Sequence, residues 1–81
     1  QNYPNPFNPA TTIRYDLPAA LHVSLKVYDL LGREVATLVN ENQDAGFKSV
    51  QWDARGIASG IYLYRLETSW FVQTKGMLLL R

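Results

Sequence analysis

Apolar and polar residues alternate along several short segments of this chain. The alternation is cleanest in residues 11–17 and 22–29, and it returns in residues 47–53 and 61–68. Because successive side chains of a β-strand point to opposite faces, such segments are expected to form half-buried strands. No segment repeats its apolar residues with the 3.6-residue period of a helix. The pattern therefore predicts an all-β fold.

Six strands follow from the alternation and from the residues that interrupt it. Gly32 is placed to take a positive φ in a tight hairpin, and Gly60 closes a later loop. The spacing of Val35 and Leu38 departs from strict alternation and predicts either a bulge or a twisted edge in the strand that carries them. The strands are expected at residues 11–17, 22–29, 35–39, 47–53, 61–68 and 71–80.

Prolines set the conformation of the first nine residues. Pro4, Pro6 and Pro9 exclude a helix there, since each proline fixes its own φ and restrains the residue before it. The resulting extended arm is expected to lie along a sheet edge, where a missing N–H is tolerated. Tyr3 and Phe7 are its expected apolar anchors.

The arm and the six strands together predict an antiparallel β-sandwich of about seven strands. The strand count also permits a closed barrel. The two longer connections, residues 40–46 and 54–59, favour the sandwich because each could carry the chain from one sheet to the other.

Alternation sends three large aromatic side chains into the core, those of Trp52, Tyr62 and Tyr64. Trp70 lies in a turn and is then the one good candidate for an exposed aromatic ring. One exposed ring makes a poor platform for stacking on a sugar.

The composition of the chain excludes several classes of function. The chain has 81 residues, the size of one domain, and its net charge is +1 without a basic run, so nothing indicates nucleic-acid binding. It has no cysteine, which excludes thiol catalysis, disulfides and thiolate metal sites. The chain starts at Gln1 with neither an initiator methionine nor a leader, so we expect residues 1–81 to be a single domain excised from a larger secreted protein.

Residues suited to covalent chemistry are scarce. His22, the one histidine, lies on the polar side of a strand, and the sequence places no nucleophile or second base beside it. Asp16, Asp29 and Asp53 fall near strand ends, where turn hydrogen bonds account for them better than a calcium site does. We therefore predict no enzyme activity, no cofactor, no metal site and no small-molecule substrate.

The end of the chain is apolar on both faces of the last predicted strand. Met77 and the three leucines after it leave no polar side between them. An edge strand of this kind invites pairing or aggregation unless it is covered. Either the strand lies centrally in its sheet, or its outer face awaits a partner.

Several short motifs occur in a fixed order along the chain. They are Asn-Tyr-Pro-Asn-Pro-Phe-Asn-Pro at residues 2–9, Val-Tyr-Asp at 27–29, Gly-Arg-Glu-Val at 32–35, Trp-Asp at 52–53, Ser-Gly-Ile-Tyr at 59–62 and the closing residues 75–81. Taken end to end, they closely resemble the type A C-terminal sorting domain of the type IX secretion system. A weaker resemblance is to the Ig-like domain of flagellar hook-capping proteins, which shares the Trp-Asp and Ser-Gly-Ile-Tyr motifs.

The resemblance implies an Ig-like β-sandwich at the C-terminus of a large protein exported by Bacteroidetes or a related phylum. The passenger would cross the inner membrane with an ordinary signal peptide and reach the periplasm. This domain would then direct it through the outer-membrane translocon to the cell surface or beyond, where a cysteine peptidase usually removes the domain. The implied partners are the translocon and that surface sorting peptidase, and the domain itself is not a catalyst.

The last strand is the part that we expect the translocon to recognise. Family members often carry two adjacent basic residues before this strand, whereas here Gly76 follows the single Lys75. The motif prolines and glycines belong to turns. The expected recognition residues are Lys75, Met77, Leu79 and Arg81, and the turn residues are Pro4, Pro6, Gly32 and Gly60.

Two other functions stay open at this point. One is a non-catalytic structural or adhesive Ig-like surface module, whose arm and last strand could exchange between copies and so cause self-association. The other is a carbohydrate-binding appendage.

Overall fold

The alternating segments fold as strands throughout the chain. The computed structural model describes residues 1–80 and has seven strands in two antiparallel sheets, which confirms the predicted Ig-like β-sandwich. The strands are β1 (Asn2–Tyr3), β2 (Ala10–Leu17), β3 (Leu21–Tyr28), β4 (Glu34–Gln43), β5 (Gly46–Asp53), β6 (Gly60–Glu67) and β7 (Val72–Leu79). None of the described residues forms a helix long and apolar enough to span a membrane.

The two sheets contain three and four strands. Their orders are β1-β2-β5 and β4-β3-β6-β7, so β2, β3 and β6 are the inner strands. Two of these, β2 and β3, carry the cleanest alternation, since each buries one face against the opposite sheet. The connection 54–59 joins β5 to β6 and so passes between the sheets, as predicted.

The other predicted crossing is much shorter than expected. β4 continues to Gln43 and β5 begins at Gly46, so Asp44 and Ala45 make the passage alone. Polar residues extend β4 because Asn40 and Asn42 pair in register with β3, and an edge strand needs only backbone pairing on one side. A third crossing, residues 18–20 between β2 and β3, was not predicted.

The hairpin between β3 and β4 follows the sequence prediction. Gly32 has a φ of 84°, and its N–H donates to the carbonyl of Asp29 at 3.0 Å. In β4 the register with β3 shifts twice, once past Leu38 and once past Val35. These are the two residues whose spacing predicted a bulge or a twisted edge, and the register shifts favour the bulge.

Aromatic rings join the two sheets at the centre of the core. The Trp52 ring lies 5.6 Å from that of Phe7 and 5.7 Å from that of Tyr62, measured between centroids. Both contacts are tilted or edge-on, the geometries that aromatic pairs favour. The remaining buried apolar residues of this core are Ile13, Leu17, Val23, Leu25, Val27, Ala54, Tyr64, Leu66, Met77 and Leu79.

The proline arm ties the first sheet to the second. Its β1 pairs with β2, and farther along Phe7 forms a parallel bridge to Leu79 of β7. The N–H of Phe7 donates to the carbonyl of Leu78 at 3.0 Å, and the carbonyl of Phe7 accepts from the N–H of Leu80 at 3.0 Å. The arm therefore lies along sheet edges, as its prolines predicted.

One of the two predicted anchors of the arm is wrong. Phe7 is buried, but 74% of Tyr3 is exposed. Asn2 is the residue of β1 that faces inward, because it lies opposite Ile13 in the register. Its side-chain amide donates to Thr11 Oγ1 at 3.2 Å, and that hydroxyl donates to the carbonyl of Pro4 at 2.8 Å. A buried polar pair thus holds the arm where an aromatic ring was expected.

Candidate functional site

The one histidine is engaged in structure at the end of the β3–β4 pair. Its Nδ1 lies 3.0 Å from Oδ1 of Asn42, and its Nε2 lies 2.9 Å from Oδ1 of Asn40. Both ring nitrogens of His22 therefore lie within hydrogen-bond distance of asparagine side chains on β4. Among the described residues, neither nitrogen has a hydrogen bond to a serine, a carboxylate or a second histidine.

Two of the three aspartates near strand ends organise turns. Oδ1 of Asp29 accepts hydrogen bonds from the N–H groups of Leu31 and Arg33, and Oδ2 pairs with the Arg33 guanidinium at 2.8 Å. Asp53 accepts in the same way from the N–H and the guanidinium of Arg55. Among the described residues no group of three or more histidine, aspartate or glutamate side chains could hold a metal ion.

These contacts shift the acidity of both turn carboxyls. The backbone N–H of Arg33 is the main cause that lowers the pKa of Asp29, and its guanidinium adds to the effect. The guanidinium of Arg55 is the main cause that lowers the pKa of Asp53. Both shifts arise from hydrogen bonds that favour the ionised carboxyl. The turn hydrogen bonds explain both pKa shifts, so the shifts do not indicate a catalytic or binding site.

The structure separates the residues that were expected to be recognised on the last strand. Met77 is 2% exposed and Leu79 is fully buried, so both belong to the core. Lys75 is exposed on the same side of β7, opposite Tyr64 in the register. Arg81 lies outside the described residues. A partner of the folded domain can reach the Lys75 side chain directly, whereas Met77 and Leu79 fix the position of the strand.

The side of β7 that faces away from the core is apolar as well. Leu78 lies opposite Ile61 of β6, and Leu63 lies opposite Gly76. Ile61 and Leu80 are 50% and 48% exposed. We call Ile61, Leu63, Leu78 and Leu80 the outer apolar face.

Sequence reasoning found only half of this surface. The leucines of β7 were recognised because they follow one another, but the contribution of β6 was missed. Ile61 and Leu63 alternate with buried tyrosines, and that pattern assigns them to a polar outer side. The sequence feature that could have revealed this surface is that both outward positions in the first half of β6 are apolar. These positions lie in register with β7.

A groove opens on the other side of β7, between that strand and the proline arm. Residues 1–6 form one wall and Lys75 and Gly76 the other, around a volume of about 500 Å³. Tyr64 contributes to the lining, although the residue is only 3% exposed. Its hydroxyl is buried and has no hydrogen-bond partner among the described residues. Burial raises the pKa of Tyr64. We call this cavity the arm groove.

The predicted turn residues support these surfaces rather than form a site. The carbonyl of Pro4 accepts hydrogen bonds from Asn2 and Thr11, and Pro6 lies exposed along the groove. Gly32 and Gly60 both have positive φ, at 84° and 151°, a region that favours glycine over other residues.

The prediction that Trp70 is the one good candidate for an exposed aromatic ring needs correction. Trp70 is 64% exposed, but Phe47 and Tyr3 are more so, at 90% and 74%. Phe47 is outward because it lies opposite Asp16 at the edge of the three-stranded sheet. The three core aromatics, Trp52, Tyr62 and Tyr64, are all buried.

Comparison with models of known protein families identifies the family of this chain. Residues 1–79 match the model of the secretion system C-terminal sorting domain, nearly the whole length of the chain. The chain belongs to this family. It is therefore a C-terminal signal for the type IX secretion system and marks a protein for export to the cell surface. The family is not known for catalysis.

Solved structures give the sorting domain a neighbour of the same fold. The sorting domain is similar to a chain from a structural study of PorZ, an essential bacterial surface component of the type IX secretion system of Porphyromonas gingivalis. The TM-score is 0.71 at 24% identity, over 100% of this chain and 11% of that chain. The likeness shows the fold, and the sorting domain spans about a tenth of its neighbour's length. No curated protein sequence matches the chain.

Proposed function

We propose that this sorting domain directs a passenger from the periplasm through the outer-membrane translocon of the type IX system, and that the translocon recognises β7 in the folded domain. After passage, a surface sorting peptidase removes the domain from its passenger. The passenger reaches the periplasm with a signal peptide of its own. The domain acts by being bound and cut, and it performs no chemistry itself.

The observation that carries the proposal is the unusual end of β7. Its inward residues, Met77 and Leu79, are buried, so the strand is held firmly in the folded domain. Its outward residues, Leu78 and Leu80, are apolar where an antiparallel sheet facing water normally carries polar residues. Together with the two apolar residues of β6 they form an apolar surface in which Ile61 and Leu80 are exposed and Leu63 and Leu78 are half-buried, a feature that suits a protein–protein contact.

Charge completes the surface that the translocon would recognise. Lys75 is exposed at the start of the segment, on the opposite side of β7 from the outer apolar face, and Arg81 follows the last leucine in the sequence. Charged groups at the rim of an apolar contact contribute orientation and association rate more than affinity. We propose that the leucines provide the affinity of the contact and that the two basic residues provide its orientation.

A reporter fusion tests the outer apolar face. The double variant Leu78→Thr with Leu80→Thr keeps β-forming residues but removes the apolar surface. Phe47→Thr, on the three-stranded sheet, is the matched control because Phe47 is even more exposed. In a type IX-competent host we expect the double variant to leave the reporter in the periplasm and the control to secrete it normally.

A folding measurement and the control variant keep this experiment decisive. Thermal unfolding of the isolated domain shows whether the double variant is still folded, as we expect for changes at outward positions. Normal secretion by a folded double variant would contradict recognition through the outer apolar face. Loss of secretion by Phe47→Thr as well would mean that secretion depends on exposed apolar residues anywhere on the domain, and not on the outer apolar face in particular.

A further inference from the structure

A free backbone edge begins where the pairing of the arm with β7 ends. Leu78 and Leu80 direct their backbone groups away from β6, to the free side of β7. On that side the Leu78 carbonyl accepts from the N–H of Phe7, and the Leu80 N–H donates to the carbonyl of Phe7. The N–H of Leu78 is capped by Oδ1 of Asn5 at 3.0 Å. In an antiparallel strand every second residue directs both groups to the same edge. Thr74 and Gly76 therefore present theirs at this edge, and within the described residues no strand pairs there.

The arm groove lies along this free edge and contains an unsatisfied polar group. The Tyr64 hydroxyl is buried without a partner, although buried hydroxyls are nearly always hydrogen-bonded. Tyr64 lines the groove, and Lys75 lies opposite it on the neighbouring strand, with both side chains on the same face. Lys75 is the one charged side chain among the described residues that line the groove.

The Tyr64 hydroxyl and the Lys75 ammonium together favour a partner that carries a carboxylate. A hydroxyl and an ammonium on neighbouring positions both donate hydrogen bonds, and a carboxylate oxygen accepts from each. A strand added beside β7 places the side chain opposite Lys75 on the face that also carries Tyr64. We propose that the arm groove binds an extended segment of a partner protein that pairs with Thr74 and Gly76 and directs an aspartate or glutamate side chain toward Tyr64 and Lys75.

Lys75 also explains why an arbitrary strand would not bind. A charged residue that points inward on an edge strand opposes edge-to-edge pairing, because the added strand would cover the charge without a partner. A carboxylate at the opposing position removes that penalty. The same lysine therefore disfavours uncharged strands, a second copy of β7 among them, and favours an acidic one.

The inference shares Lys75 with the recognition proposed above but otherwise rests on different residues. The outer apolar face and the arm groove use opposite faces of β7, and the groove needs neither Leu78 nor Leu80. Leu78→Thr with Leu80→Thr changes only the outer apolar face and Tyr64→Phe changes only the arm groove, so these variants let the two proposals fail separately.

Titration of the ¹⁵N-labelled domain tests the groove. The probe is a terminally blocked heptapeptide of alternating threonine and valine with a central glutamate, and its control has a central glutamine. The amino group of Gln1, which lies near Lys75, is acetylated so that Lys75 supplies the only cation among the described residues of the groove. We expect saturable shifts of the Thr74 and Gly76 amides with the glutamate peptide. We also expect about tenfold weaker binding of the glutamine peptide, the loss typical of a hydrogen bond to a charged group.

Two variants and a small anion identify the groups responsible. Lys75→Met is expected to abolish the preference for glutamate, and Tyr64→Phe to weaken the glutamate peptide several-fold while the domain remains folded. Equal binding of the two peptides, or no shift at Thr74 and Gly76, would overturn the proposal. Acetate that reproduces the shifts at the same concentration would show a site for free carboxylates and would overturn strand addition.

Discussion

Tyr62 and Tyr64 occupy neighbouring inward positions on β6 but differ in the state of their hydroxyls. The hydroxyl of Tyr62 donates to the carbonyl of Ala58 at 2.5 Å, whereas that of Tyr64 is buried with no partner in the described part of the chain. Both rings are buried, at 7% and 3% exposure. The pair thus compares a satisfied hydroxyl with an unsatisfied one in nearly the same surroundings.

This difference predicts opposite results for the two phenylalanine variants. Tyr62→Phe should lower the free energy of unfolding by about 1 kcal/mol, because it removes a hydrogen bond and leaves a carbonyl without its donor. Tyr64→Phe should leave stability unchanged or raise it by up to about 1 kcal/mol, because it removes a buried group that makes no hydrogen bond. Urea denaturation of both variants measures the difference. An equal loss in Tyr64→Phe would show that a group such as water satisfies its hydroxyl.

The position of Trp52 between two rings predicts a large effect of its removal. Trp52→Ala should lower the free energy of unfolding by about 3–5 kcal/mol, the usual cost of deleting a large buried aromatic side chain. That is a large share of the stability of a small domain, so much of the variant should be unfolded. Trp70→Ala is the control, and at 64% exposure it should change stability by less than about 0.5 kcal/mol.

Fluorescence separates the two tryptophans. With Trp70 replaced, the remaining emission comes from Trp52 and should have the blue-shifted maximum of a buried indole. An emission maximum typical of water in that variant would contradict the burial of Trp52.

Alternation was sufficient to predict most of this fold because both sheets bury one face. It placed the core aromatics and the irregularity at Leu38, and the glycine at position 32 placed the hairpin, since each depends on local sequence. It failed where pairing rather than hydropathy decides the structure. The polar end of β4 is a strand because β3 offers it a free edge, and no local pattern reports that.

The candidate surfaces were harder to predict than the fold. The outer apolar face needs the register of β6 against β7, which brings Ile61 beside Leu78. The arm groove needs the route of the proline arm from one sheet to the other. Both depend on contacts between residues far apart in sequence. The sequence could identify Lys75 as exposed, but not the buried hydroxyl beside it.

Two glycines of different conformation should respond oppositely to alanine. Gly32 has a φ of 84°, so Gly32→Ala should strain the hairpin and cost about 1 kcal/mol. Gly76 is in a strand with ordinary φ, and an added Cβ would lie 3.9 Å from Leu63 Cδ2 in normal contact. Gly76→Ala should therefore raise stability by about 0.4–1 kcal/mol. Thermal unfolding of both variants checks the signs, and stabilisation by Gly32→Ala would contradict the turn geometry.

The turn carboxyls predict a loss of stability in acid. Hydrogen bonds from Arg33 and Arg55 lower the pKa values of Asp29 and Asp53 in the folded domain. Their contribution is present above the unfolded aspartate pKa of about 3.9, and it is lost as the pH falls through the lower folded values. Asp29→Asn with Asp53→Asn should flatten the fall in unfolding free energy across that acid range. An unchanged slope would mean that these pairs do not contribute.

The last prediction separates charge recognition from folding at the end of β7. Lys75→Ala and Arg81→Ala should each reduce secretion of a fused reporter, and the double variant should reduce it most. The Lys75 side chain is exposed and makes no ion pair within residues 1–80, so its removal should change stability by less than about 0.5 kcal/mol. Arg14→Ala on the three-stranded sheet is the control for a general loss of positive charge. A secretion defect with an unchanged melting curve would show that the charges are recognised directly. Normal secretion by the double variant would place the signal in the folded sandwich and its apolar surface instead.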